Sequence, residues 1–387
     1  MSAVRGFPAS EFEARVARAQ ALMTAEELDL LLLTTEPEVR YFSGFLTQFW
    51  QSPTRPWFLI VPRAGKPVAV IPGIGAAAME RTWLDDIRTW SSPCPEDEGL
   101  SLLTETITEL GGDKPVIGIP SGPETHLRLP LSDYAALRSS LPDAVFRDDG
   151  GIHRRLRMIK SEAEVGKIWT ACQMVSGVFE NWSSWLSVGM SEREVFREFK
   201  ISCLKAGVDD VSYLVGGAGP GGYGDIISPP TDRKITGGDV LILDTGSMHD
   251  GYFCDFDRNF AIGTPSDDVR SAYVAAYAAT DAGLVAARPG ATCADLFRAM
   301  ADVLEAGGAQ VGDVGRLGHG LGMQLTEWPS ITATDMTVLE PGMVLTLEPG
   351  LEYAPGKMMV HEENIFIGEH GAELITRRAS PEVPVVT

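Results

Sequence analysis

The chain has 387 residues, 44% of them hydrophobic, and a formal net charge of −21 from 53 acidic and 32 basic side chains. That length can build two domains with cores of their own. The acidity excludes nucleic acid and anionic membrane surfaces as partners, because phosphate contacts depend on clustered Lys and Arg. No run approaches the roughly eighteen apolar residues of a membrane span, and residues 1–10 hold no apolar signal core, so a cytoplasmic location is the expectation. Five cysteines without paired metal spacing read as reduced and packed, with Cys254 set apart by adjoining Asp255.

Ser10-Glu-Phe-Glu13 reads as a capping box, with Phe12, Val16, Ala19 and Met23 at helical spacing. Strands are expected at 29–34, 57–61, 67–71 and 116–119 and helices at 99–110 and 131–141, so residues 1–150 form one α/β domain. Between its strands an aromatic, proline-interrupted loop carries Trp50 and Arg55. It is either a surface loop packed by Trp50 or a recognition element with Arg55 as an anion clamp. Asp148-Asp149-Gly150-Gly151 marks the boundary, and residues 151–387 form the second domain. There a capping box at Ser161 to Glu164 opens a helix to about residue 186, and another helix spans 191–206 and ends at Gly207. The glycine-rich segment 216–224 lacks the lysine and spacing of a phosphate loop. Helices at 266–287 and 292–306 follow.

The stretch from Val240 to Asp257 is an apolar strand ending at Asp244, a turn over Gly246 to Gly251, and a strand that returns Asp255 to the same pocket. Gly238 to Gly246 recurs as Gly342 to Gly350, placing Glu348 where Asp244 sits, and Gly189 to Arg197 recurs as Gly290 to Arg298. Two repeats in the same order predict a duplicated unit of helices followed by a sheet hairpin. Its two acid-bearing strands then meet at the domain centre. Asp244, Asp255, His319, Glu348 and Glu362 form the resulting candidate cluster. Four carboxylates and an imidazole suit Mn²⁺, Fe²⁺, Co²⁺ or Zn²⁺, and four negative charges balance two divalent ions better than one.

These motifs and their spacing resemble the pita-bread metallohydrolases, which include methionine aminopeptidase, prolidase, aminopeptidase P and creatinase. The resemblance covers the whole chain: an α/β creatinase-like N-terminal domain, then a duplicated α+β pita-bread catalytic domain. It implies Asp244, Asp255, His319, Glu348 and Glu362 as ligands of two divalent metal ions, with Asp255 and Glu362 bridging and Glu348 also relaying a proton. The activity implied is that of an Xaa-Pro dipeptidase or aminopeptidase, in which metal-bound hydroxide attacks a peptide or amide carbonyl. A homodimer is implied, in which the loop of Trp50 and Arg55 reaches the partner's site to read the substrate's carboxylate.

The family's peptidases carry two histidines where this chain has Ile227 and Thr326. Those imidazoles hold the substrate carbonyl and stabilise the tetrahedral intermediate, so Thr326 and His361 are the candidate catalytic replacements beside Glu348. Asp257, where the family usually has Thr, is expected to support the site by bonding Arg258. His249 reads as a turn residue, His126, His153 and His370 as solvent-exposed, and Asp225 as a possible hydrogen-bond acceptor for a cationic substrate group. The alternative substrate is a small zwitterion, as for creatinase, ectoine hydrolase or the dimethylsulfoniopropionate lyase of this fold. A third reading is an idle binding protein.

Overall fold

A computed structural model of the chain describes residues 5–53, 55–308 and 315–387. They divide into two compact units between Arg157 and Met158. The acid-and-glycine turn at 148–151 is therefore not the linker. Asp149 donates its N–H to Ile119 O and accepts from the N–H groups of Gly151 and His153, at 2.9 and 3.0 Å, and from His153 Nδ1 at 2.7 Å. Burial works against the Asp149 charge, but these bonds hold its carboxyl below the usual range. They tie the helix that follows to the first unit. His153 is buried by them, contrary to its expected exposure.

The first unit holds helices α1 (Ala9–Ala25), α2 (Glu36–Ser43), α3 (Ala76–Met79), α4 (Leu100–Gly111), α5 (Leu131–Ser140) and α6 (Ile152–Met158, whose last residue falls beyond the division). Its strands are β1 (Leu30–Leu33), β2 (Phe58–Pro62), β3 (Val68–Pro72), β4 (Asp86–Trp90), β5 (Val116–Ile119) and β6 (Val145–Asp148), in the sheet order β4-β3-β2-β1-β5-β6. Four consecutive leucines in β1 are all buried, which requires cover on both faces of the sheet. Leu103 and Ile107 of α4 join Leu30 and Leu32 in one core layer. Pro8, with φ −67°, starts α1 ahead of Ser10, so the expected Ser10 capping box does not form. A capping box does form one helix later, between Thr35 and Glu38 of α2.

The second unit contains α7 (Glu162–Glu180), α8 (Glu192–Ala206), β7 (Asp210–Pro220), β8 (Asp239–His249), β9 (Tyr252–Ile262), α9 (Asp267–Ala286) and α10 (Cys293–Ala306). It continues with β10 (Gly318–Gly320), β11 (Glu327–Ser330), β12 (Val344–Leu347), β13 (Gly350–Ala354), β14 (Lys357–Val360), β15 (Glu363–Gly368), β16 (Gly371–Leu374) and β17 (Val385–Val386). Sheets run β17-β9-β8-β7 and β11-β10-β12-β15-β16, with β13-β14 as a separate pair. The glycine-rich segment begins within β7, which ends at Pro220, and residues 221–224 follow the strand.

The duplication holds at the level of individual bonds. Ser191 with Glu194 and Thr292 with Asp295 make matching capping boxes. Gly189 N–H donates to Ile235 O, as Gly290 N–H does to Leu339 O. Gly216 pairs with Leu243 across β7 and β8, as Gly318 pairs with Leu347 across β10 and β12. Both glycines have positive φ, 127° and 149°, and a Cβ on either would fall 2.3 Å from a backbone oxygen of the neighbouring strand.

The hairpin carrying the acids is longer than its sequence suggests. Asp250 and Gly251, with φ of 46° and 79°, form a two-residue turn, and the strands pair from Val240 with Ala261 to His249 with Tyr252. Asp244 thus sits in mid-strand, not at a strand end, and His249 is a buried strand residue, not part of the turn.

Asn364 of β15 joins the two sheets: its Oδ1 accepts Asp255 N–H at 2.9 Å and its Nδ2 donates to Asp255 O. Asn364→Leu leaves both backbone groups of a buried residue without partners and should lower the unfolding free energy by about 2–4 kcal/mol, read by urea denaturation. An unchanged midpoint and slope would show that this clamp does not hold the sheets.

Candidate active site

Asp244 faces Asp257 directly across β8 and β9, and Asp255 lies two residues away on the same face. Glu362 arrives between β14 and β15. Oxygens of Asp244, Asp255 and Glu362 lie within 4.8 Å of one another. His319, opposite Thr346 on β12, brings Nε2 to 3.3 Å from Asp255 Oδ2 and 3.5 Å from Glu348 Oε2. Its Nδ1 lies 2.9 Å from Gly320 O, so Nδ1 is the donor there and Nε2 is the nitrogen turned to the acids. All five residues of the expected cluster are brought together.

Their electrostatics are those of confined like charge. Burial first, and neighbouring acids second, hold the carboxyls of Asp244 and Glu362 well above the usual range. Asp255 is also raised, burial outweighing its hydrogen bond to His319. Burial would discharge His319, yet its bonds to Asp255 and Glu348 push it up to about 10. Asp244 Oδ1 is buried with no hydrogen-bond partner among the described residues. A bare buried acceptor costs roughly 1–3 kcal/mol. Three converging carboxylates, one orphaned oxygen and an imidazole nitrogen make the donor set of a hard or borderline divalent cation, and the residues fit one.

Asp257 does support the cluster, but not through Arg258. Its Oδ1 accepts Glu362 N–H at 2.6 Å and its Oδ2 accepts from Asn259 Nδ2 at 2.9 Å. Burial, only partly offset by Arg258 and these bonds, raises it to about 8. Arg258 instead donates to the backbone oxygens of Asp257 and Glu362 and pairs with Glu363 at 3.1 Å.

Of the expected catalytic replacements, Thr326 is near the cluster and His361 is turned away from it. Thr326 Oγ1 lies 3.5 Å from Arg316 Nη2, and Arg316 Nε lies 3.2 Å from Glu348 Oε1. His361 is packed by Tyr273 and Tyr277, lies 3.0 Å from Thr280 Oγ1 and accepts from Arg378 at 3.3 Å. Burial, with smaller contributions from Arg378 and Arg258, pushes it down to about 3, leaving it neutral at physiological pH.

Ile227 is 74% exposed, and the Asp225 carboxylate is spent on its own turn, accepting from the N–H groups of Ile227 and Ser228. Cys254 is buried, whereas His126 and His370 are exposed. Trp50 is buried against Phe45 and Trp57, and Arg55 lies over the Phe49 ring while its backbone oxygen accepts from Arg128. Both belong to the first unit. Arg316 and Asn364 are the site residues that the sequence reading missed. Each stands only two or three residues from a motif acid or histidine, which was the available signal.

Residues 166–369 match metallopeptidase family M24, and residues 15–159 match the creatinase/prolidase N-terminal domain. The chain belongs to metallopeptidase family M24: it is a metallopeptidase-type hydrolase with a creatinase-like N-terminal domain and a pita-bread catalytic domain. It is 29% identical over 384 residues to the probable dipeptidase PepE of Mycobacterium tuberculosis, covering 99% of this chain and 98% of that one. Dipeptidase PepE from Mycobacterium ulcerans superposes with a TM-score of 0.85 at 28% identity, over 98% of this chain and 99% of that one. Prolidase from Thermococcus sibiricus, at 23% identity, shares the fold with a TM-score of 0.86 over 97% and 99% of the two chains.

The placement of His361 predicts that His361→Gln lowers thermal stability but keeps kcat/KM within about tenfold of wild type, equivalent to about 1.4 kcal/mol. A far larger loss in a protein of unchanged stability would return His361 to the reaction.

Proposed function

We propose that the chain is a dinuclear, divalent-metal-dependent dipeptidase that hydrolyses short peptides of the Xaa-Pro type. The observation that carries this reading is the convergence of Asp244, Asp255 and Glu362 within 4.8 Å, with His319 Nε2 against two of the surrounding acids. Asp244, Asp255, His319, Glu348 and Glu362 would hold the ions, whose chemistry when bound is to acidify a water and polarise the substrate carbonyl.

The protein's own contributions follow from its bonds. Asp257 fixes the Glu362 backbone from one side and Arg258 from the other. Asn364 fixes the Asp255 backbone. The Gly320 carbonyl selects the His319 tautomer that leaves Nε2 as the ligand nitrogen. Glu348 stands at the rim of the cluster with its side chain 18% exposed, the place from which a carboxylate can take a proton from the attacking water and return it to the leaving amine. Arg316 orients it from outside.

The competing reading is a non-peptide relative acting on a small zwitterion. It is favoured by the solvent-facing Ile227 and by Thr326, which stand where the resemblance implies two histidines. Protein stripped of metal and reloaded with Mn²⁺, Co²⁺, Fe²⁺ or Zn²⁺ should melt at higher temperature and release proline from Xaa-Pro dipeptides, with kcat/KM of about 10⁴ M⁻¹s⁻¹ or more. Asp255→Ala and His319→Ala should lose both responses. Bound metal without turnover on any peptide would select the zwitterion reading, and an Asp255→Ala protein that still loads metal would refute the ligand set.

A further inference from the structure

Where the chain passes from β14 to β15 it leaves one sheet and enters another, and Glu362 lies in the gap. The backbone there is held mostly by side chains rather than by a neighbouring strand. His361 N–H donates to Pro349 O at 3.1 Å, but His361 O accepts from Thr280 Oγ1 at 3.2 Å and Glu362 O from Arg258 at 2.9 Å. Three further groups, Val360 N–H, Val360 O and Glu362 N–H, are all bonded to side chains as well. A buried backbone group must find a partner, so these side chains decide where Glu362 presents its carboxylate.

The last three groups belong to one closed ring of bonds. Val360 N–H donates to the Tyr223 hydroxyl at 2.9 Å, which donates to Asn259 Oδ1 at 2.7 Å. Asn259 Nδ2 donates to Asp257 Oδ2 at 2.9 Å and to Val360 O at 2.6 Å, and Glu362 N–H donates to Asp257 Oδ1 at 2.6 Å. Tyr223, Asn259 and Asp257 are all buried. The polarity of the ring has one solution. A backbone N–H can only donate, so the Tyr223 oxygen accepts and its proton goes to Asn259 Oδ1. That fixes the Asn259 amide with both hydrogens turned to acceptors. Tyr223 is delivered by Gly221 and Gly222, with φ of 65° and 144°, and its carbonyl accepts Met358 N–H at 2.7 Å. A Cβ on Gly222 would fall 2.4 Å from the Tyr353 hydroxyl, so this close approach to the β13-β14 pair needs glycine.

We infer that Tyr223 and Asn259 are positioning residues for the metal cluster: acting through Asp257 and the Val360 backbone, they set the place of Glu362 and with it the affinity for divalent ions. This rests on the metal reading above, since it takes Glu362 as a ligand. The ring is a feature of this chain's own residues. A threonine, which the family usually has at 257, offers one oxygen where the ring uses two. Outer partners of this kind hold a ligand in the orientation that the ion needs, and removing one typically weakens binding by about 10- to 100-fold.

The test is calorimetric titration of the metal-stripped full chain with Mn²⁺. Tyr223→Phe deletes one hydroxyl and should raise the Mn²⁺ Kd about tenfold, and Asn259→Leu, which breaks three of the ring's bonds, should raise it by about 10- to 100-fold. Because both act through one ring, the double variant should bind within about threefold of Asn259→Leu. Tyr273→Phe separates positioning from loss of a buried hydroxyl as such. Tyr273 is buried in the same unit and donates to Ser380 O at 2.7 Å, outside the ring, so its variant should melt at lower temperature with an unchanged Kd. A Kd in Tyr223→Phe within about twofold of wild type, an equal rise in Tyr273→Phe, or effects that multiply in the double variant would each overturn the inference. If Asn259→Leu does not fold, the comparison of Tyr223→Phe with Tyr273→Phe decides alone. Wild type that takes up no divalent ion would overturn the metal reading and this inference with it, whereas uptake by every variant as tight as by wild type overturns the inference only.

Discussion

The confinement of like charge governs the second unit. Asp244, Asp255, Asp257 and Glu362 share a volume where burial has already made ionisation costly. The chain meets this with backbone rather than with counter-charge. Paired strands hold Asp244, Asp255 and Asp257 on one face, and Asn364 and Asp257 fasten the second sheet to the first through the backbones of Asp255 and Glu362. The cations present, His319 and Arg316, offset only part of the charge. What remains is a demand for divalent metal, the dependence that family M24 membership carries.

The same demand explains why the fold is a duplication. One hairpin can offer acids along one face of one sheet, but a cation needs donors from several directions. Repeating the helix pair and its strands supplies a second sheet, from which His319 reaches Asp255. The two copies have diverged where chemistry requires it. Gly318 retains the close backbone approach that Gly216 makes, while the next residue is His319 in one copy and Gly217 in the other.

Much of this was legible in the sequence, for physical reasons that can be named. The repeated glycine, aliphatic run and acid of the two hairpins betrayed the duplication, and with it the pairing of Asp244 with Glu348. The Asp-Gly pair at 250–251 was the stronger turn signal, but the glycine at 246 drew the turn too early. His361 was read as catalytic because it adjoins Glu362 in the sequence, whereas its ring is taken up by Thr280 and Arg378. Strand β4, Asp-Ile-Arg-Thr-Trp, has no apolar run to announce it. Asn364 and Arg316 offered only their closeness to motif residues as a signal, because their importance lies in what stands across the sheet, which depends on register. The Asp149–His153 pair likewise turned an apparent linker into a helix cap.

The central claim is that this arrangement of acids exists to hold two divalent ions. Equilibrium dialysis of the metal-stripped chain against Mn²⁺, with elemental analysis of the retained ion, tests it most directly. The account predicts saturation at two ions per chain. Saturation at one, or no saturable binding, would contradict it.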